Sequence, residues 1–405
     1  MKVLYFHQHF STPMGFTGTR SYEMALRLLE RGHQVVMVCG SYGESNTGLT
    51  GEFVRGGRRG TVDGIDLIEF DLPYSNNDGF MRRAITFIRF ALNSIYVALT
   101  ERYDLIFATS TPLTAGIPGI IARHVRRKPF VFEVRDLWPE LPRAMGVITN
   151  PIILWAMSVL EWTSYRSADH LIGLSPGIVK GIESHGVATE KIAMIPNGCD
   201  LNIFSPTQKP LRPRGISNQD LMAVFAGAHG IANGLDAALD AARELKRRGR
   251  TDVKLCFIGR GKLKEDLVNC AINEELNNCI FMNSVSKVEL ARYFEAADIG
   301  MQLLKNIPAF YYGTSPNKFF DYIAAGLPVL NNYPGWLAGI INEHKCGYAV
   351  QPDDPKAFAN ALEHAADNPS YLRTMGNNSY NLAVQQFDRN ELADQFAIWL
   401  EDTAR

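Results

Sequence analysis

Apolar residues along this chain fall into two alternating patterns. Short unbroken runs, such as KVLYF (2–6), alternate with stretches in which apolar positions recur every three or four residues, such as SYEMALRLLERG (21–32). The first pattern predicts buried parallel strands, and the second predicts amphipathic helices that cover them. Residues 1–40 therefore read as strand, glycine-containing loop (STPMGFTGTR, 11–20), helix and second strand, HQVVMVCG. The alternation continues through YDLIFATST (103–111), a crossover helix in TAGIPGIIARHVRRK (114–128), PFVFEVRD (129–136), HLIGLSP (170–176) and IAMIPNGCD (192–200). Between Asn197 and Gln219 proline, glycine and polar residues concentrate, as they do at a domain seam. The pattern then restarts. Strands LMAVFAGA, VKLCFIGRG, CIFMNSV, IGMQLL and PVLNN are separated by helices in LDAALDAARELKRRG, KEDLVNCAINEEL, KVELARYFEAAD and SPNKFFDYIAAG. An α/β chain of two doubly wound, Rossmann-like domains is the prediction. The closing NELADQFAIWLEDTAR is an amphipathic helix expected to pack back on the first domain.

Composition narrows the classes. At 405 residues, 46% hydrophobic and 20% charged, the chain can bury large cores. A net charge of −1 argues against a nucleic-acid binder that relies on overall positive charge. The six cysteines include no CxxC pair, which suits a reduced, cytoplasmic chain. No apolar run is long enough for a membrane span, and the first residues lack the apolar core and cleavage site of a secretory leader. His7 and His9 form an HxH at the end of the first strand, but strand alternation sends them to opposite faces, so packing is preferred to a metal site.

The stretch SPNKFFDYIAAGLPVL (315–330) carries the sharpest chemical signal. Ser315 suits an N-cap, Pro316 the first helical position and Gly326 the C-terminal stop. Asn317, Lys318 and Asp321 share one helix face, while Phe319, Phe320, Ile323 and Ala324 point inward. A helix N-terminus with a lysine beside it is an anion site. The plainer reading pairs Lys318 with Asp321 at i,i+3.

Five phrases in this order resemble the retaining GT-B glycosyltransferases of family 4: GFTGTR after the first strand, KIAMIPNGCDLNIFSP at the hinge, FIGRGKLKEDL, VSKVELARYFEAADIG and FFDYIAAGLPVL. FEVRDLWPE (132–140) resembles the bacterial surface-polysaccharide branch, near the fucosaminyltransferase-like enzymes. The resemblance implies two domains facing across a cleft. Residues 1–197 would bind the acceptor, 198–380 the nucleotide-sugar donor, and 381–405 would return to the first domain. It implies a donor diphosphate at Lys318, with Arg260, Ser315 and Asn317 nearby and Gly18 approaching from the other domain. Asp321 would take the ribose hydroxyls, and Ser284 and Val285 would hold the base. Three positions depart from the family pattern: Gly313 replaces a glutamate, and His229 and Asn233 stand near its diphosphate arginine and lysine. His229 is kept as a donor-site residue. Arg135 would meet a donor or acceptor phosphate and Asp136 would orient the acceptor hydroxyl, with Glu133 as a possible partner of Arg135.

The implied reaction is transfer with retention and without a protein nucleophile, metal or other cofactor. The leaving phosphate would take the acceptor proton. UDP with an N-acetylhexosamine-type sugar is the expected donor, and a polyprenyl-diphosphate-linked saccharide the expected acceptor, in O-antigen, capsule or exopolysaccharide synthesis. Residues 80–104 and 150–167 mix apolar, aromatic and basic side chains, and ARHVRRKP adds Arg123, Arg126, Arg127 and Lys128. Such mixtures suit an anionic membrane surface, here the inner face of the cell membrane. The alternatives are a nonhydrolysing sugar-nucleotide epimerase, which needs clustered acid/base groups, and a noncatalytic nucleotide-sugar-binding protein.

Overall fold

The computed structural model describes residues 1–15, 17–43, 45–75, 78–204 and 209–405. Phe16 of the glycine loop and residues 205–208 of the seam lie outside the described residues. The chain forms two compact units: residues 1–197, 312–315 and 390–405 make the first, and 198–311 with 316–389 the second.

In the first unit the order is β1 (Lys2–Phe6), α1 (Arg20–Glu30), β2 (Gln34–Tyr42), β3 (Gly57–Val62), β4 (Ile65–Tyr74), α2 (Phe80–Thr100), β5 (Leu105–Thr109), α3 (Ile117–Val125), β6 (Phe130–Val134), α4 (Glu140–Ala144), α5 (Pro151–Ser167), β7 (His170–Gly173), α6 (Pro176–Ser184) and β8 (Ile192–Met194). Among the described residues these strands form one sheet in the order β3-β4-β2-β1-β5-β6-β7-β8. Every pairing is parallel except the antiparallel β3–β4 hairpin. That hairpin is absent from the reading of the sequence. It turns at Asp63 and Gly64, both at positive φ (50° and 86°), the geometry that an Asp-Gly pair supplies.

The second unit runs β9 (Leu221–Ala226), α7 (Asp236–Arg247), β10 (Val253–Ile258), α8 (Lys264–Asn273), β11 (Cys279–Met282), α9 (Lys287–Ala296), β12 (Ile299–Gln302), α10 (Pro308–Tyr312), α11 (Asn317–Ala324), β13 (Val329–Asn331), α12 (Trp336–His344), β14 (Gly347–Ala349), α13 (Pro355–Asp367) and α14 (Pro369–Gln386). Its parallel sheet has the order β11-β10-β9-β12-β13-β14 among the described residues. The last helix, α15 (Arg389–Ala404), returns to the first unit. There Phe396 packs against Tyr5 and Phe107, Arg31 pairs with Glu401 at 2.9 Å, and Trp399 Nε1 donates to the Leu171 carbonyl at 3.2 Å. Residue 381 lies within α14, so the chain leaves the second unit later than the expected boundary, between Arg389 and Asn390.

Each sheet is thus Rossmann-like, with its first strand in the middle and later strands added on either side. Strand order reverses between β1 and β5 in the first unit and between β9 and β12 in the second. Crevices for ligands open at the carboxyl ends of strands where such a reversal occurs.

Candidate active site

In the second unit the loop after β9 meets the start of α11 at the reversal. Lys318, in the first turn of α11, lays its Nζ 5.2 Å above the Phe225 ring at the end of β9 and donates to Asn233 Oδ1 at 2.8 Å. Among the described residues no carboxylate pairs with it. Asp321, the i,i+3 candidate, pairs with Lys287 instead, at 3.0 Å. Burial with no counter-anion lowers the Lys318 pKa to about 8. Lys318 lies in the first turn of α11, whose N-cap makes no side-chain hydrogen bond, and an incoming anion there would restore what burial costs the ammonium.

The helix cap differs from expectation by one residue. The N-cap is Pro316 and the helix begins at Asn317. Ser315 is used elsewhere: its hydroxyl accepts from the Asn197 amide at 3.2 Å and its carbonyl from Asn197 Nδ2 at 2.5 Å. Gly326 ends the helix at φ +68°, as the stop signal predicts.

The loops after β9, β10 and β11 are laced together. His229 donates its amide to the Arg260 carbonyl at 2.9 Å, and Lys264 Nζ donates to the carbonyls of Gly259 and Met282 and to Asn283 Oδ1. A Cβ at Gly259 would lie 1.9 Å from the Gly227 carbonyl oxygen, so only glycine lets these two loops close on each other. Arg260 is exposed and donates to Ser284 Oγ at 2.9 Å. The His229 ring is fully buried among Phe225 and Phe281. Burial, and then the Lys264 charge, bring its pKa to about 4, so it is neutral near pH 7 and packs the loop from inside. Expected as a donor contact, His229 has its ring on the inner side of the loop.

Two family matches divide the chain in the same way as its sheets do. Residues 17–198 match the glycosyl transferase 4-like domain, and residues 208–382 match the glycosyl transferases group 1 family. The chain belongs to the GT-B glycosyltransferases of family 4/group 1. Among curated relatives, an uncharacterized glycosyltransferase of Methanocaldococcus jannaschii is 22% identical, over 86% of this chain and 90% of its own length. Among solved structures, sucrose-phosphate synthase from Thermosynechococcus elongatus superposes with a TM-score of 0.76 at 16% identity, covering 99% of this chain and 98% of that one. Anabaena HepE in complex with UDP-glucose gives 0.68 at 16%, covering 99% and 100%. At such identities these superpositions speak for the fold. With the family matches in hand the protein is a glycosyltransferase, which sets aside the epimerase and the noncatalytic binder.

The remaining expected residues fall at strand ends of this transferase. Ser284 and Val285 lie in the loop from β11 to α9, after Asn283, and Asn317 opens α11. In the first unit Gly18 lies just before α1, and Arg135 and Asp136 follow β6. Arg135 donates its amide to Ser110 Oγ at 2.9 Å, and its guanidinium lies 3.5 Å from His7 Nε2. His7 is buried, and burial followed by the Arg135 charge holds it well below the ordinary imidazole range. It is therefore neutral and can accept from Arg135. Burial raises the Asp136 carboxyl, and Arg135 partly offsets that. His9 packs among Tyr42, Tyr74 and Phe87. Among the described residues no group of three or more His, Cys, Asp or Glu is placed to hold a metal ion.

Glu133 is not the partner of Arg135. It pairs with Arg20 at 2.8 Å, both side chains being sealed from solvent, and accepts from Thr109 Oγ1 at 2.8 Å. Arg20 also donates to the carbonyls of Ile195 and Pro196. The arginine of the GFTGTR phrase thus anchors the glycine loop to the core. Reading the sequence missed this, as it missed Lys287, because both roles depend on partners distant along the chain.

Proposed function

We propose that this glycosyltransferase moves a sugar, of the N-acetylhexosamine type, from UDP to a saccharide carried on a polyprenyl diphosphate. The transfer retains anomeric configuration and serves bacterial surface-polysaccharide synthesis, as in the fucosaminyltransferase-like branch. The observation that carries the reading is Lys318: a half-buried ammonium without a carboxylate partner among the described residues, at a helix start, on the crevice where strand order reverses. A diphosphate suits that position because it brings the missing negative charge. Anabaena HepE is known in complex with UDP and with UDP-glucose, which supports a UDP-sugar donor for a chain of this fold.

In this reading Lys318 and the first amides of α11 stabilise charge as it develops on the departing diphosphate, and Arg260 adds a second cation from the β10 loop. Their positive charge takes the place of a metal. The departing phosphate oxygen takes the proton of the acceptor hydroxyl as that hydroxyl attacks the same face of the sugar. Asp321 accepts from the ribose hydroxyls, and the loop at Ser284 and Val285 holds the base. In the first unit Arg135 meets a phosphate and Asp136 orients the acceptor hydroxyl.

No helix of the described residues is long and apolar enough to cross a membrane. Peripheral contact with the inner membrane surface is proposed instead, through the exposed apolar faces of α2 and α5. Thermal-shift titration with UDP-, GDP-, ADP- and TDP-sugars tests the donor, since a ligand bound only by the folded state stabilises it. Stabilisation by UDP-sugars that Lys318→Ala abolishes is the expected result. An undiminished shift in that variant refutes the assignment of Lys318.

A further inference from the structure

Asp321, to which the proposed function gives the ribose hydroxyls, belongs to a four-membered ion cluster inside the second unit. Lys287, the first residue of α9, holds Asp321 Oδ1 at 3.0 Å. The same ammonium pairs with Asp200, which pairs in turn with Arg389. Arg389 Nη2 donates to the Gly198 carbonyl at 2.6 Å. The four side chains are between 5% and 13% exposed. Phe204 closes one side of Lys287, its ring 5.5 Å from the ammonium, and the buried Cys199 thiol is a further titratable group facing Asp321.

Among the described residues, Lys287 makes the cluster's ion pair with Asp321. Burial pushes the Asp321 carboxyl up. The Lys287 charge is the largest influence in the other direction, Asp200 adds a further upward push, and Arg389 a smaller downward one. A carboxylate that receives hydroxyl protons from ribose must be ionised, since the protonated acid loses acceptor capacity. It must also be held in one orientation, with an oxygen left over for the ligand.

We propose that Lys287 is a positioning residue for nucleotide recognition: by holding Oδ1 of Asp321 it keeps that carboxylate charged and leaves Oδ2 to accept from the donor's ribose. The proposal rests on the ribose assignment of Asp321. It explains why a nearly buried lysine opens α9 beside the loop given to the base, and why its charge is shared between two aspartates rather than spent on one.

The test compares binding of UDP and of its 2′-deoxy and 3′-deoxy analogues by calorimetry, from mildly acidic to mildly alkaline pH. It uses the full-length protein, Asp321→Asn, Lys287→Met and Lys287→Arg. The unaltered protein is expected to prefer UDP by about tenfold, the worth of one charged hydrogen bond. Lys287→Met should lose most of that preference at mildly acidic pH and regain part of it as pH rises and Asp321 gives up its proton. Lys287→Arg should restore the preference. A purely structural role would lower melting temperature in Lys287→Met without changing the ribose preference or its pH profile, and that outcome overturns the proposal. Lys287→Gln, which keeps a donor without the charge, serves if the methionine variant does not fold. An absence of ribose preference in the unaltered protein, or its survival in Asp321→Asn, overturns the ribose assignment as well. Survival only in the Lys287 variants overturns this proposal alone.

Discussion

A lysine buried with no carboxylate partner among the described residues keeps its charge only weakly, since the ring beneath it and the amide oxygen it donates to only partly offset the loss of water. For Lys318 this has a measurable consequence. With its pKa lowered to about 8, the ammonium is lost as pH rises through that value, so UDP affinity should fall on the alkaline side. Lys318→Arg should flatten that limb, because a guanidinium does not deprotonate there. Lys318→Ala should lose a charge-assisted hydrogen bond, roughly 1.5–3 kcal/mol or about 10- to 100-fold in affinity by calorimetry. Arg20 is the opposite case, a cation that burial has fixed to a carboxylate. Arg20→Met leaves Glu133 charged in a dry interior and should cost roughly 3–5 kcal/mol in chemical denaturation. The two residues also show what could be read beforehand. Lys318 announced itself because its setting is local: helix start, lysine and glycine stop lie within one short phrase. Arg20, Lys287 and Asn233 did not, because each owes its role to a side chain or carbonyl brought near by the fold, and no spacing rule links position 20 to 133 or 287 to 321.

Helices carry the surfaces on which the proposed membrane contact rests. On α2 the exposed side chains of Met81, Ile85, Ile88, Leu92, Tyr96 and Leu99 recur every three or four residues, and on α5 those of Ile152, Trp155, Val159 and Trp162 do the same. These are continuous apolar faces on helices whose other sides cover a sheet. The basic residues divide into two kinds. Arg126 donates to the carbonyls of Ala98, Leu99 and Glu101 and so caps the end of α2, while Arg123 pairs with Asp169. Arg89 and Arg127 are exposed and suit phosphate headgroups. Trp155→Ser combined with Trp162→Ser should reduce flotation with anionic liposomes several-fold while leaving the UDP-induced thermal shift unchanged. Equal flotation of variant and parent would remove α5 from the proposed contact. Element by element, the parallel strands and their crossover helices were legible because each repeats a period of buried runs and amphipathic turns. The β3–β4 hairpin was not: its strands mix charged and apolar residues, and its Asp-Gly turn is a two-residue signal. α13 and α14 likewise went unread, though they cover the second sheet.

At the level of the whole chain, neither unit is one continuous stretch of sequence. The first takes residues 312–315 from within the second, where the Tyr312 carbonyl accepts from Ser175 Oγ at 3.0 Å, and it takes α15 from the end of the chain. A fragment of residues 1–197 would therefore lack Phe396 and Leu400, both fully buried in its core. It should melt well below the full chain or aggregate, and supplying residues 390–405 as a fused segment should recover much of the loss in circular-dichroism melts. That the final helix returns could be expected from its amphipathic pattern; that four residues near 313 also cross over could not, since nothing in their composition sets them apart.

The way the second unit is sewn in has a practical corollary. Where the chain first enters it, the Cys199 amide donates to the Phe387 carbonyl at 2.7 Å, and where it leaves, the Arg389 amide donates back to Cys199 at 3.2 Å. Both ends of the insert are thus neighbouring rungs of one ladder. The second unit could be exchanged as a single cassette cut at 198 and 389, with little loop-closure entropy to overcome, provided that residues 312–315 are kept from the host.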